Sequence, residues 1–234
     1  MKKQPLLGYE PPEEKARNDA IAIAALKLLA QNKLISDTRF DTASFSELYN
    51  LVTHQFTVEY SSITTRMARI FYGISSIIQP DNILVAGSYV GNSLVWLALP
   101  VLKTARIVGV DIDETANQVA IANLKAIDAE NVEIYTLDAH KSGSLFLERK
   151  ISLLLLDVDS ETNGKEIYIS ILKALQNHLT DDAIILAHDA CYPKFAEQME
   201  KYRSYICNKL YITQSITLKI DQFGLEVTKN GKND

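Results

Sequence analysis

Residues 82–93 read NILVAGSYVGNS and join an apolar run to a turn that contains glycine. The run 82–86 carries no charge, which is typical of a strand buried on both faces of a parallel sheet. Gly87 follows it, and glycine lets the backbone turn tightly and approach a ligand closely. The stretch therefore predicts a buried strand, a tight turn and the start of a helix whose free N–H groups suit an anionic ligand.

Outward from this stretch, apolar strand-like runs alternate with helical patterns. The runs lie at 106–113, 131–139, 151–159 and 183–190. Such alternation indicates βαβ units and a parallel sheet, and residues 211–230 read as two further strands around a turn. We therefore predict an α/β fold: a Rossmann-like, doubly wound, mostly parallel sheet with an antiparallel C-terminal hairpin strand and N-terminal helical additions.

The composition is that of a globular protein. The chain has 234 residues, of which 47% are hydrophobic and 23% charged, and its net charge is −5. The negative charge disfavours a general nucleic-acid binder. We find no signal-peptide pattern and no apolar run of membrane-spanning length, so we expect a cytoplasmic protein with neither nucleic-acid nor membrane partners. Residues 1–60 are expected to form a helical cap or a homodimer contact, and residues 61–234 the α/β domain. The candidates in that segment for lining an acceptor pocket are Tyr49, His54, Phe56 and Tyr60, and the alternative is an aromatic face that packs on the helices of the sheet.

Acidic residues stand at the ends of the predicted strands, where parallel sheets bind their ligands. Asp111 follows the glycine turn by about 20 residues, the spacing at which an acid holds ribose hydroxyls. Asp138 precedes the small Ala139, a pair suited to an adenine amino group and ring. The alternative for Asp138 is a solvent-facing loop acid.

Two neighbouring strand ends combine acids with a histidine. Asp157 and Asp159 follow one strand, and His188 and Asp189 close the next. Like charges held close together need a counter-ion or must take up protons. Carboxylate oxygens with one imidazole nitrogen suit Mg²⁺ or another divalent cation, so we predict a metal site of Asp157, His188 and Asp189. The alternative is one carboxylate on a ligand amine and the others solvated.

Taken together, these strand ends resemble the class I S-adenosylmethionine-dependent methyltransferases, and most of all the catechol and caffeoyl-CoA type of small-molecule O-methyltransferase. ILVAGSYVGNS at 83–93 is similar to the first motif of that superfamily, in the version with a tyrosine. GVDID at 109–113, LLLLDVD at 153–159, LAHDA at 186–190 and QFGLEVTKN at 222–230 are similar to its later motifs. The resemblance covers residues 63–230.

The resemblance implies S-adenosyl-L-methionine as cofactor, a small-molecule hydroxyl as acceptor and a place in secondary metabolism. It makes residues 61–234 the methyltransferase domain. The residues it implies for cofactor binding are Ile63, Gly87, Ser88, Tyr89, Gly91, Ser93, Asp111, Ile112, Asp138, Ala139 and Asp157.

The sequence also departs from the family pattern. Ala86 stands where an acid normally precedes the first glycine, and His188 stands where an aspartate is common. The lysine used as a base in the catechol type would fall near Ser160, whereas Lys165 comes five residues later. The candidates for the base are therefore Lys165, Asp159 and His140. Without a metal, His188 becomes the best base, because imidazole titrates near neutrality.

Three other functions stay open at this point. The same cofactor would serve N- or C-methylation, or a transfer or cyclisation of its aminobutyryl part that releases methylthioadenosine. A non-catalytic scaffold on the same fold is a second alternative. A nicotinamide-dependent oxidoreductase is disfavoured, because its G-x-G-x-x-G fingerprint would need glycine at Tyr89 and Asn92.

Overall fold

The computed structural model describes residues 10–58, 63–101, 103–129, 131–208 and 212–231. The strands in these ranges are β1 (Asn82–Ala86), β2 (Arg106–Asp111), β3 (Val132–Thr136), β4 (Ile151–Leu156), β5 (Leu179–His188), β6 (Ile212–Leu218) and β7 (Leu225–Asn230). The α-helices are α1 (Pro12–Gln31), α2 (Thr42–Gln55), α3 (Thr65–Ile78), α4 (Asn92–Ala98), α5 (Glu114–Ala126), α6 (Ile167–Leu175) and α7 (Ala196–Cys207). Short 3₁₀ helices span Ala139–Phe146, Gln176–His178 and Pro193–Phe195.

The strands form one sheet in the order β3-β2-β1-β4-β5-β7-β6. Strands β1 to β5 pair in parallel, and β7 pairs antiparallel with both β5 and β6. The sheet thus grows from β1 in two directions, and the chain switches sides between β1 and β4. The predicted Rossmann-like fold with an antiparallel C-terminal hairpin is confirmed.

The pairing register brings the chemically interesting strand ends side by side. Ala86 pairs with Leu156, and Leu156 pairs with Ala187. The residues that follow these three on β1, β4 and β5 therefore emerge at one edge of the sheet. Leu225, the first residue of β7, pairs with His188, so the turn before β7 reaches the same edge.

The apolar run of β1 is explained by a core on each face of the sheet. Ile83 and Val85 pack in one cluster with helices α3 and α4. Leu84 and Ala86 pack in the other cluster with helices α6 and α7. Because successive strand residues point to opposite faces, a strand covered on both sides must be apolar throughout.

Helices α1 and α3 are joined by a buried ion-pair network. The fully buried Arg69 of α3 donates to Asp19 of α1 at 2.7 Å and to Glu10 at 2.8 Å.

The boundary expected at Tyr60 lies outside the described residues, and the roles of residues 1–60 as a cap or a dimer contact stay predictions. None of the helices in the described part of the chain combines the length and apolar character needed to cross a bilayer.

Candidate active site

A cavity of about 1020 Å³ lies beyond the carboxyl ends of β1, β2, β4 and β5, which is ample for a small-molecule ligand. The residues predicted to bind cofactor that line it are Ile63, Gly87, Ser88, Tyr89, Ser93, Asp111, Ile112, Asp138, Ala139 and Asp157. The residues predicted for catalysis or metal binding that line it are Asp157, Asp159, Lys165, His188 and Asp189. Gly91 is not among the lining residues and forms the N-cap of α4 instead.

The turn after β1 depends on Gly87. Its φ is 87°, and a Cβ at this position would lie 2.5 Å from the backbone oxygen of Asp157, so a side chain has no room there. The N–H groups of Gly87 and Ser88 donate to the carbonyl oxygen of Val110 at 2.9 and 3.1 Å. Ser88 lines the cavity, and its Oγ is buried without a hydrogen-bond partner among the described residues. A polar atom in that state fits a site that a polar ligand completes.

Asp111 connects the turn after β1 to the loop after β2. Its Oδ2 accepts from the Tyr89 N–H at 2.9 Å, and its Oδ1 accepts from the Asp113 N–H at 3.0 Å. The carboxylate oxygens keep further lone pairs for a ligand. Next to it, Ile112 is 77% exposed and offers an apolar surface to the cavity.

Asp138 caps the 3₁₀ helix after β3. It accepts from the His140 N–H at 2.9 Å and from His140 Nδ1 at 2.7 Å. These contacts, the backbone N–H first, hold the pKa of Asp138 below its ordinary value. The other ring nitrogen of His140 lies 2.7 Å from Ser170 Oγ, so this candidate base is held between two side chains of the protein.

The strand ends of β4 and β5 carry a compact cluster of charged side chains. His188 Nδ1 lies 3.0 Å from Asp157 Oδ1, and Ser93 Oγ donates to Asp157 Oδ2 at 3.1 Å. Lys165 Nζ lies 2.9 Å from Asp189 Oδ2 and 3.6 Å from Asp157 Oδ1. The three predicted metal ligands are thus together, with ligand atoms within 4.8 Å of one another, and a lysine is among them.

The lysine reaches this cluster through a closed turn. The backbone groups of Ser160 and Gly164 bond to each other in both directions, at 2.8 and 3.3 Å. The chain between β4 and α6 therefore doubles back before it delivers Lys165. Lys165 thus lies beside Asp157 and Asp189 although it comes five residues after Ser160.

Opposite charges decide the ionisation of the cluster. Burial alone would raise the pKa of Asp157, but His188 and Lys165 hold that pKa below its ordinary value. Burial alone would lower the pKa of His188, but Asp157 and Asp189 hold it above its ordinary value. Burial alone would lower the pKa of Lys165, but Tyr168 and the two carboxylates hold that pKa above its ordinary range. Lys165 is therefore an ammonium at neutral pH and not a base.

The second ring nitrogen of His188 lies among aromatic rings. Nε2 is buried and has no hydrogen-bond partner in the described part of the chain. The ring centroids of Phe71 and Phe223 lie 6.5 and 5.8 Å from that of the imidazole. The sequence reasoning missed Phe223, and the signal available for it was its place in the turn before the last strand.

Two sets of predicted residues lie apart from this cluster. Asp159 is half exposed and pairs with Lys194 at 3.4 Å. The residues predicted to line an acceptor pocket near the N-terminus do not line the cavity where the structure describes them: Tyr49 packs against Trp96, His54 bonds to its own helix, and Phe56 is the C-cap of α2. Tyr60 of the same set lies outside the described residues.

Residues 84–190 match the family model of a methyltransferase domain. The chain has a class I methyltransferase fold. An O-methyltransferase from Bacillus cereus, solved with S-adenosylhomocysteine, superposes with a TM-score of 0.64 at 13% identity, over 88% of this chain and 97% of that one. The tomaymycin-synthesis O-methyltransferase from Streptomyces achromogenes, solved with S-adenosylmethionine, gives a TM-score of 0.64 at 14% identity, over 93% and 99%.

A third solved structure is that of a Staphylococcus aureus protein proposed to be a caffeoyl-CoA O-methyltransferase. Its TM-score is 0.62 at 15% identity, over 89% of this chain and 99% of that one. A sequence search of curated proteins finds no match. The predicted class I methyltransferase fold is confirmed.

Proposed function

We propose that this methyltransferase-fold protein transfers the methyl group of S-adenosylmethionine to a hydroxyl of a small aromatic acceptor. The observation that carries the proposal is His188, whose Nδ1 bonds to Asp157 while its buried Nε2 has no partner among the described residues. The same cavity contains the turn at Gly87 and the acid Asp111. One space thus offers features suited to a nucleoside next to a potential proton acceptor.

The cofactor half of the proposal rests on the strand ends of β1, β2 and β3. Asp111 would hold the ribose, Ser88 Oγ would gain the partner that it lacks, and Ile112 and Ala139 would border the adenine. The methyltransferases from Bacillus cereus and Streptomyces achromogenes were solved with S-adenosylhomocysteine and S-adenosylmethionine. We extend that ligand to this chain as part of the proposal.

The chemistry needs one proton acceptor and a fixed geometry. When bound, the sulfonium cofactor supplies an electrophilic methyl group. His188 Nε2 takes the proton of the acceptor hydroxyl, and the hydroxyl oxygen forms its bond to the methyl carbon as the carbon–sulfur bond breaks. The electron pair of that bond would stay on the sulfur, and the second product would be S-adenosylhomocysteine. Asp157 fixes the imidazole and raises its pKa, so the neutral ring is a stronger base.

The protein also favours an aromatic acceptor. Phe223 and Tyr192 line the cavity beside His188 and pack on each other with ring centroids 5.2 Å apart, whereas the fully buried Phe71 supports the imidazole from the core. An aromatic ring packs favourably against such a wall, with its hydroxyl near His188. Positioning two reactants in this way supplies much of the rate enhancement in group transfer.

The predicted divalent cation is not part of this proposal. Lys165 already neutralises the carboxylates that would bind it. Of the predicted bases, Lys165 is protonated at neutral pH, and Asp159 is half exposed and paired with Lys194. His188 is the group whose position and chemistry both suit the proton transfer.

Ligand binding followed by product analysis tests the proposal. S-adenosylhomocysteine at about a hundred times its dissociation constant should raise the melting temperature by about 5–11 °C, whereas NAD should not raise it. Incubation with a panel of phenols and methyl-labelled S-adenosylmethionine should yield a labelled methyl ether and S-adenosylhomocysteine. Methylthioadenosine as the product, or the absence of any shift with S-adenosylhomocysteine, would refute the proposal.

A further inference from the structure

Lys165 lies among the residues that the sequence predicted to hold a divalent cation. Its ammonium is 2.9 Å from Asp189 Oδ2 and 3.6 Å from Asp157 Oδ1. These two carboxylates close the adjacent strands β4 and β5, and carboxylates held so close require a counter-ion. In this chain the counter-ion is a side chain of the same molecule.

The surroundings of Lys165 fix its ammonium in place. The residue is only 2% exposed. Its Nζ lies 5.1 Å from the ring centroid of Tyr168 and 5.3 Å from that of Phe195, and cation–π contacts are strongest when they are shielded from water. Withdrawing the ammonium would also leave two largely buried carboxylates with only His188 beside them, which is unfavourable.

A divalent cation fits these donors poorly. Asp157 Oδ1 lies 3.0 Å from His188 Nδ1 and 3.6 Å from Lys165 Nζ, so two nitrogens already compete for this oxygen. Both Asp189 oxygens also face a nitrogen: Oδ2 lies 2.9 Å from Lys165 Nζ, and Oδ1 lies 3.6 Å from His188 Nδ1. A cation that bridged both carboxylates would sit beside a buried ammonium, and the two positive charges would repel each other.

We propose that Lys165 is the resident counter-ion of Asp157 and Asp189 and that this site works without a divalent cation. The inference deepens the proposed function and rests on it for what it says of the reaction. A metal in such a site orients its acceptor by direct coordination. Without a metal, an acceptor needs only one hydroxyl to react. A second, neighbouring hydroxyl adds no affinity, because there is no cation for the two oxygens to chelate.

Titration of the full-length protein with Mn²⁺ tests the inference directly, with free Mn²⁺ followed by electron paramagnetic resonance. Lys165→Met removes the ammonium at similar side-chain length, and Lys165→Arg keeps the charge. Lys194→Met removes an exposed lysine that pairs with Asp159 and serves as the matched control. We expect no stoichiometric binding by the wild type, Lys165→Arg or Lys194→Met, and an affinity at least roughly tenfold higher in Lys165→Met.

Two results would overturn the inference. One is a single Mn²⁺ bound per wild-type chain and lost in Asp189→Asn. The other is a folded Lys165→Met protein that still excludes Mn²⁺. If Lys165→Met does not fold, Lys165→Gln takes its place, and the wild-type titration still decides. Calorimetry with S-adenosylhomocysteine on the same samples keeps the two proposals apart, because a failure to bind it contradicts the proposed function alone.

Discussion

The two halves of the cavity are built by different kinds of contact. In the β1–β3 half, formed by residues 87–89, Asp111 and Asp138, the carboxylates bond mainly to backbone N–H groups of nearby loops. In the β4–β5 half, formed by Asp157, Lys165, His188 and Asp189, side chains bond to side chains, and His188 meets Asp157 across 31 positions of sequence. The β1–β3 half is shaped by backbone turns and their N–H groups. The β4–β5 half is a cluster of charged side chains, each of which needs the opposite charge of its neighbours.

Because of this difference, different substitutions should disrupt each half of the cavity. A backbone turn fails when a side chain is forced into it, but it tolerates changes in the cluster. An ion cluster fails when one charge is removed, because the remaining charges are left buried without compensation. Ligand binding and turnover should therefore respond to different substitutions.

The largest effect is expected in turnover from His188→Gln. Glutamine accepts hydrogen bonds but takes up no proton at neutral pH, so the rate of methyl transfer should fall by about 10²- to 10⁴-fold. The affinity for S-adenosylhomocysteine should change little, because His188 belongs to the β4–β5 half. Single-turnover kinetics and calorimetry measure the two quantities.

His54→Gln is the control for that experiment, since His54 is exposed and bonds to its own helix. It should leave turnover and binding unchanged. Near wild-type turnover in His188→Gln would show that His188 is not the base. It would also show that turnover does not depend on the β4–β5 half in the way proposed.

The second-largest effect is expected from Gly87→Ala, which should lower both stability and cofactor binding. Gly87 and Gly91 have nearly equal positive φ angles of 87° and 86°. A Cβ at 91 would meet Ala120 at 3.5 Å, an ordinary contact, whereas one at 87 would collide with the carbonyl of Asp157 at 2.5 Å. Gly91→Ala should cost about 1–3 kcal/mol of unfolding free energy, which is roughly 2–12 °C in melting temperature.

Gly87→Ala should be less stable than Gly91→Ala and should lose binding of S-adenosylhomocysteine, because the collision displaces β1 from β4. Differential scanning calorimetry and ligand titration on both variants measure these effects. Equal melting temperatures for the two variants would show that the close approach of β1 to β4 contributes nothing.

A smaller effect is expected in binding alone from Asp111→Asn. Loss of the charge weakens hydrogen bonds from ribose hydroxyls, so the affinity for S-adenosylhomocysteine should fall by about tenfold to a hundredfold. Asp113→Asn is the matched control, because asparagine caps a helix as well as aspartate does and Asp113 is the N-cap of α5. Equal affinities in the two variants would argue against Asp111 as a ribose ligand.

The same division separates what could be predicted from the sequence from what could not. The run 82–86 and the glycine after it are contiguous, so they predicted β1 and its turn. The ends of β4 and β5 were predicted to carry acids, but the partner of Asp189 was not, because the turn that returns Lys165 to the cluster leaves no periodic signal. Phe223 was missed for a similar reason, since its place depends on β7 entering the sheet between β5 and β6.

Local capping was also harder to predict than strand content. Ser44 with Glu47 three residues later has the pattern of a capping box, yet Ser44 is not the N-cap of α2. Asp41 caps α2 by accepting from the N–H groups of Ala43 and Ser44 at 3.0 Å. Aspartate and serine are both typical caps, so residue type alone does not distinguish Asp41 from Ser44.

The smallest expected effect is a displaced acid limb in the pH profile of turnover. The carboxylates beside His188 outweigh its burial and raise its pKa above 6.5. The proposed base must be neutral to accept a proton, so below its pKa the rate should fall about tenfold per pH unit. The rate should therefore still be rising with pH above 6.5, where an ordinary imidazole is already mostly neutral.

The affinity for S-adenosylhomocysteine, which depends on the β1–β3 half, should stay constant over the same pH range. An acid limb that persists unchanged in His188→Gln would assign the titrating group elsewhere, whereas one that disappears with the base would tie the pH response of the molecule to a single half of the cavity.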